Sequence, residues 1–430
     1  MQMDRSVVLV ALCSVILVPS VLQARAGDAG ISLDAALDAA LTGSPELTRV
    51  AAEVEEARGR LVVARTYSYN PRLAVEGAER SGPGGATTDR ALALSQQIEL
   101  AGKRGKRRAE ARAALAAAEA RAARARRAVR AAVTRTFTET ILARDLLAVA
   151  RADVDLTRSL LSLEERRLEA GAGTRIEVNL ARAAAGRSVR RFEEANAAWS
   201  EARARLAEAM GADPETSPRV VGELPIDQPS GAERLPELGE LIRRALAERA
   251  DLAALRREGD RAERRVTLER ARAIPDLELG AFASREEGDD VVGLSAGVAI
   301  PLFDRNRGAI AEAVATVERR RAAVLAAELA VRREVTAAFG HYRAAARAVE
   351  ALRGLVIDTL EESLDLLRKA VEAGELSTTD VLVLRRELVE GRREQVEAAG
   401  ELWIARTELE LAAGGALATT PAEERRGGER

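Results

Sequence analysis

The side chains that most often carry chemistry are nearly missing from this sequence. One histidine, His341, and one cysteine, Cys13, stand among 430 residues, so one chain cannot assemble a zinc or copper site of the usual nitrogen and thiolate kind. There is no phosphate-cradling glycine loop, no Ser-His-Asp set and no carboxylate pair that spacing would bring together, which sets enzyme classes aside. Charge is what remains: 66 basic side chains stand against 68 acidic ones, a balance that argues against a nucleic-acid partner and for solvated helix faces. Three charged features stand out locally. Lys103, Arg104, Lys106, Arg107 and Arg108 form the densest basic run, and Glu177 and Asp380 each follow a glycine-containing break. Such groups either attract ions or anionic surfaces, or only complement helix ends.

The elements that position these residues follow from periodicity. Val7 to Leu22 is an apolar run after Arg5, ending in Ala24-Arg25-Ala26. It reads as a leader cleaved near residue 26, which implies export, and no other stretch is apolar enough to cross a bilayer as a helix. Self-comparison shows a unit occurring twice: Ser32 through Arg65 matches Glu237 through Arg270 in pattern, 205 residues apart. The expected division is a leader at 1–26, a first repeat at 27–213, a linker at 214–236, a second repeat at 237–413 and a disordered tail at 414–430. Each repeat opens with helix, renewed in the first at Ser44-Pro45, where Ser44 caps and Pro45 suits the first helical position. After Pro71 and Pro275 the period changes to alternation, predicting strands near 72–80 and 91–99, then 276–285 and 291–300. Each strand carries one apolar face and one small or polar face, as in a membrane barrel or in a soluble hairpin lying on a core. Proline-free Ala/Arg/Glu/Leu-rich helices follow, broken at Gly171-Ala172-Gly173-Thr174 and Gly374-Glu375-Leu376-Ser377 before a returning helix. Helical hairpins are therefore predicted near 104–210 and 306–413, with long arms of roughly 100 Å that must pack laterally.

This layout resembles the TolC-type outer-membrane efflux proteins over essentially the whole chain after the leader. Gln97-Ile98-Glu99-Leu100-Ala101-Gly102-Lys103-Arg104-Gly105-Lys106-Arg107 and Pro301-Leu302-Phe303-Asp304-Arg305-Asn306-Arg307-Gly308 are similar to the two strand-to-helix junctions of its CzcC-like, heavy-metal efflux branch. The resemblance implies a mainly α fold with a membrane β-barrel portion. A homotrimer would close a twelve-stranded barrel, continued by an α-helical periplasmic tunnel. The implied location is the outer membrane of a Gram-negative bacterium. Implied partners are a periplasmic adaptor (membrane fusion) protein and an inner-membrane pump of the RND type, with no cofactor. The function implied is that of a passive exit duct for heavy-metal cations or other small molecules.

By the same resemblance the two helix-helix turns form the adaptor-docking tip, carried here by Gly171, Thr174 and Val178 and by Gly374, Ser377, Val381 and Leu382. Plain turn and cap roles are the alternative for each. Glu177 and Asp380 become channel-entrance candidates, and Lys103, Arg104, Lys106 and Arg107 candidates for lipid head groups just below the barrel. Tyr67, Tyr69, Phe282 and Phe303 lie near the heights of an aromatic girdle. The competing architecture is a periplasmic coiled-coil adaptor or scaffold without a pore. It explains export and long helices but not two alternating hairpins at equivalent places in the repeat.

Overall fold

The structure, a computed structural model, describes residues 30–82, 85–216, 218–224, 236–286, 289–352 and 377–415, with Ser363, Leu366, Lys369 and Leu417. The expected leader, Gly374 and most of the expected tail lie outside these residues. Among them no helix is long and apolar enough to cross a membrane.

The first repeat opens with α1 (Leu33–Gly43) and α2 (Pro45–Arg65). Ser32 caps the first by accepting the Ala35 N–H at 3.3 Å, and Ser44 caps the second, with Pro45 in its first turn. Pro71 cannot continue a helix, and β1 (Arg72–Gly82) and β2 (Gly85–Ile98) follow. The chain then turns through Ala101 and Gly102, at φ of 58° and 66°, into α3 (Lys103–Glu169), which is 67 residues long. After the tip, α4 (Arg175–Ala209) returns. The second repeat runs through α5 (Leu238–Glu248), α6 (Ala250–Arg272), β3 (Leu277–Glu286), β4 (Asp289–Val298), α7 (Arg307–Leu352) and α8 (Thr378–Ala412).

Long α3 contains no proline to break it, and alanine dominates the inner stripe of its first third. Ala111, Ala114, Ala118 and Ala125 are buried at helical spacing, and Ala111 and Ala118 pack on Val54, Ala57, Leu61 and Ala64 of α2. Small side chains let the backbones approach closely over many turns. Two larger cores occupy equivalent places in the two repeats. In one, Ala36 and Ala40 pack with Val133, Phe137, Ile141, Leu206 and Met210; in the other, Leu241 and Ala245 pack with Val331, Val335, Tyr342, Leu409 and Ala413. Both Ala36/Leu241 and Ala40/Ala245 reproduce the 205-residue displacement. Order continues past the point where the tail was expected to begin: the Gly414 N–H donates to the Leu411 carbonyl at 3.1 Å, and Leu417 is buried in the second core.

The strands form one antiparallel sheet in the order β1-β2-β3-β4, so the two repeats fuse along the β2–β3 ladder. Its register gathers every leucine of the strands, Ile98 and three of their four valines on one face. Leu73, Leu94, Ala281 and Leu294 share one row, and Val75, Leu92, Ala283 and Val292 the next. This face is bare: Leu294 is 87% exposed and Val292 83%. The opposite face presents Arg72, Ser95, Gly280 and Ser295 in one row and Ala74, Ala93, Phe282 and Gly293 in another. Phe282 therefore does not share a face with the apolar rows, where a membrane girdle would be expected. Its ring lies against Gly293, where an added Cβ would fall 2.4 Å from it. Strands of 10 to 14 residues match the length that crosses a hydrocarbon core when tilted.

Candidate functional site

Where sheet meets helices, residues from both repeats converge on one carboxylate. Asp276 Oδ1 accepts from Lys103 Nζ at 2.7 Å and from the Leu100 N–H at 3.1 Å, and Oδ2 accepts from Gln97 Nε2 at 3.2 Å. Burial pushes the Asp276 pKa up, but Lys103, the Leu100 N–H and Gln97 outweigh it and hold the group below its ordinary value. Beside it, Arg107 grips Glu99 at 2.6 Å, and Arg104 donates to the Arg65 carbonyl at 2.8 Å while its guanidinium sits 6.0 Å from the Tyr67 ring centre. Tyr67 in turn donates its hydroxyl to the Gln97 carbonyl at 2.9 Å. Of the basic run read as a lipid-facing cluster, Lys103 is buried and Arg104 and Arg107 are engaged within the protein. They build a collar that fixes the sheet on the helices. The second repeat makes its own version: Asn306, at φ 55°, donates to the Glu269 carbonyl at 2.8 Å and to Glu269 Oε2 at 2.9 Å. Arg265 and Arg272 hold the other oxygen of that buried carboxylate at 2.7 and 2.8 Å.

The opposite end carries the turns. Gly171 adopts φ 74°, a conformation that favours glycine. Thr174 and Glu177 then form a reciprocal capping box: the Glu177 N–H donates to Thr174 Oγ1 at 3.3 Å, and the Thr174 N–H donates to Glu177 Oε2 at 2.7 Å. Those bonds from the Thr174 N–H and hydroxyl hold the Glu177 pKa below its usual value. At the second turn Ser377 accepts the Asp380 N–H at 3.2 Å and its hydroxyl donates to Asp380 Oδ2 at 2.6 Å. Both entrance candidates are thus tied into helix caps. Val178 and Val381 point inward; Val381 packs with Leu160 and Ala181, and Leu382 is half-buried against the same cluster. Among the described residues, the turns leave Ile176 and Leu180, and Val383 and Leu384, exposed.

One buried ion pair between the turns and the core has no counterpart in the sequence reading. Arg385 Nη1 on α8 lies 2.6 Å from Asp153 Oδ1 on α3, with side chains 8% and 2% exposed. Burial raises the Asp153 pKa against the pull of Arg385, and burial lowers that of Arg385. Asp153 Oδ2 and Arg385 Nε have no hydrogen-bond partner among the described residues. Below it Thr157 and Ser188 hydroxyls meet at 2.7 Å across α3 and α4. Asp153 also lines a cavity of about 340 Å³ with Leu142, Leu146, Val149, Arg191 and Val389.

Comparison with known proteins places this arrangement. The family model described as outer membrane efflux protein matches residues 36–212 and 241–415, which is each repeat in turn. The cobalt-zinc-cadmium resistance protein CzcC of Cupriavidus metallidurans is 26% identical over 386 residues, covering 88% of this chain and 89% of CzcC. Protein CyaE of Bordetella pertussis is 30% identical over 404 residues, covering 89% of this chain and 84% of CyaE. The fold matches that of the outer membrane protein VceC from Vibrio cholerae at a TM-score of 0.70, with 21% identity over 89% of this chain and 96% of that one.

Proposed function

This chain belongs to the outer membrane efflux protein family, and from that premise we propose that three copies close one duct, fed by an inner-membrane pump of the RND type through a periplasmic adaptor, which discharges heavy-metal cations. It is an outer-membrane efflux channel.

The observation that carries the proposal is the sheet. Its apolar face is bare, and β1 and β4 are edge strands whose outer backbone groups have no strand beside them among the described residues. In lipid each unsatisfied backbone group costs several kcal/mol, so such a sheet spans a bilayer only when its edges join those of further copies. Three is the number that the family resemblance implies. A pore-free scaffold has no use for such a face.

The CzcC relative, named for cobalt, zinc and cadmium resistance, supports heavy-metal cations as cargo. A passive duct suits that cargo here, because His341 is the one histidine and Cys13, the one cysteine, falls in the expected leader, which leaves passing metal few nitrogen or thiolate ligands. The exposed apolar residues at the turns, Ile176, Leu180, Val383 and Leu384, support adaptor docking, with Gly171, Thr174 and Ser377 shaping the turns.

Deleting the gene and scoring growth in cobalt, zinc and cadmium salts tests the cargo. Heightened sensitivity to these metals, restored by the wild-type channel, is the expected result. Unchanged metal tolerance combined with new sensitivity to organic compounds would reassign the cargo.

A further inference from the structure

We propose that Arg90 and Arg285, side by side at the outer end of the sheet's apolar face, bind the phosphate groups of a phosphorylated outer-leaflet lipid. The proposal rests on the reading that this face meets the hydrocarbon of the outer membrane.

The register sets the chemistry. Above the row of Val75, Leu92, Ala283 and Val292, the next row on the same face is Gly77, Arg90, Arg285 and Asp290. The surface thus changes from four apolar side chains to two arginines in one step. Arg90 and Arg285 are direct cross-strand partners, a position where like charges repel and destabilise pairing. Asp290 relieves Arg285 at 3.1 Å. Arg90 is exposed and has no ion pair or side-chain hydrogen bond among the described residues. On its other flank stands Gly77, where an added Cβ would meet nothing within 4 Å, so there is room for a bulky head group. Glu79, one row further out on the same face, bounds the site on its aqueous side. The pore-facing side contrasts with this: Arg80 there is paired with Asp89 at 3.0 Å.

An amphiphile with acyl chains and phosphates fits both halves of this surface. Its chains would lie on the Val75 to Val292 row and those below, and its phosphates would accept from the two guanidiniums, which also removes their mutual repulsion. A small free anion would use only the upper row.

The test uses the full-length channel purified from outer membranes and placed in zwitterionic nanodiscs. These are doped with bisphosphorylated lipid A or with its dephosphorylated form of the same acyl chains, and co-purifying lipid is counted by mass spectrometry. We expect retention of the bisphosphorylated form over the other. Loss of one charge-assisted phosphate contact in Arg90→Ala or Arg285→Ala should lower it about tenfold, and Arg80→Ala should leave it unchanged. Equal retention of both lipids, equal retention by wild type and by a variant carrying both Arg90→Ala and Arg285→Ala, or full displacement by inorganic phosphate would overturn the proposal. Each protein is first checked for partition into the outer membrane. A wild type absent from that fraction would overturn the location and the lipid site together, whereas correct partition with unselective retention overturns the lipid site alone.

Discussion

Asp153 and Arg385 stand 232 positions apart in sequence and 2.6 Å apart in space. Neither could be picked from the many carboxylates and guanidiniums of the chain, because what distinguishes them is burial on α3 and α8. Removing one partner leaves an uncompensated buried charge, so Asp153→Ala or Arg385→Ala should cost roughly 3–5 kcal/mol. Asp153→Leu with Arg385→Met should restore most of the loss, since both desolvation penalties then disappear. Heat dissociation of the purified channel, followed on gels, checks this; a double variant as weak as the singles would contradict it. Asp276 allows a test by pH. A folded pKa held below the ordinary value means that its contribution is complete above the unfolded pKa and is lost only as pH falls through the lower folded one. Wild type should therefore stay more heat-resistant than Asp276→Asn down to about pH 4, and the difference should vanish only in stronger acid. A gap that closes at neutral pH would contradict the collar. If the face opposite the apolar rows lines the proposed duct, Gly293→Val should force the Phe282 ring away from the sheet and lower single-channel conductance in planar bilayers. Adding Phe282→Ala should recover it, and unchanged conductance in the single variant would place the ring elsewhere.

At the scale of elements, the sequence was legible wherever local pattern decides the outcome. Alternation after Pro71 and Pro275 located both hairpins, and Ser44-Pro45 marked the start of α2, because chain stiffness and caps act within a few residues. Which face of an element turns inward depends on partners distant in sequence, and local pattern alone does not decide it. Phe282 was placed at girdle height, but it lies in the same row as Ala93 and Gly293, facing away from the apolar rows. Val178 and Val381 stand in the motif whose resemblance implies docking, and within the single chain both are buried. The spacing of Val178, Ala181 and Ala185 on one helix stripe was the available signal that this side faces the core. The exposed neighbours carry the consequence. Ile176→Glu or Val383→Glu should weaken cross-linking to the adaptor with little effect on heat stability, whereas Val381→Ala should lower heat stability by about 1–2 kcal/mol. Loss of cross-linking with Val381→Ala alone would reverse these roles.

At the scale of the whole molecule, duplication explains the shape. Each repeat contributes two strands and a pair of long helices, and the β2–β3 ladder joins the repeats into a sheet in which, among the described residues, no further strand lies beside the edge strands β1 and β4. One chain cannot satisfy those edges in lipid, and joining β4 of one copy to β1 of the next is the direct way to do so. Engineered disulfides measure this. The native sequence has one cysteine, Cys13, so a channel carrying Val75→Cys or Leu73→Cys in β1 with Val292→Cys or Leu294→Cys in β4 starts from a quiet background. Within one chain these positions are separated by β2 and β3, about 14 Å at the usual strand spacing, too far to bridge. Oxidation in intact outer membranes should therefore give covalent dimers and trimers and stop there. Monomers only at every pair tested, or a ladder that runs on past three, would contradict a closed barrel of three copies.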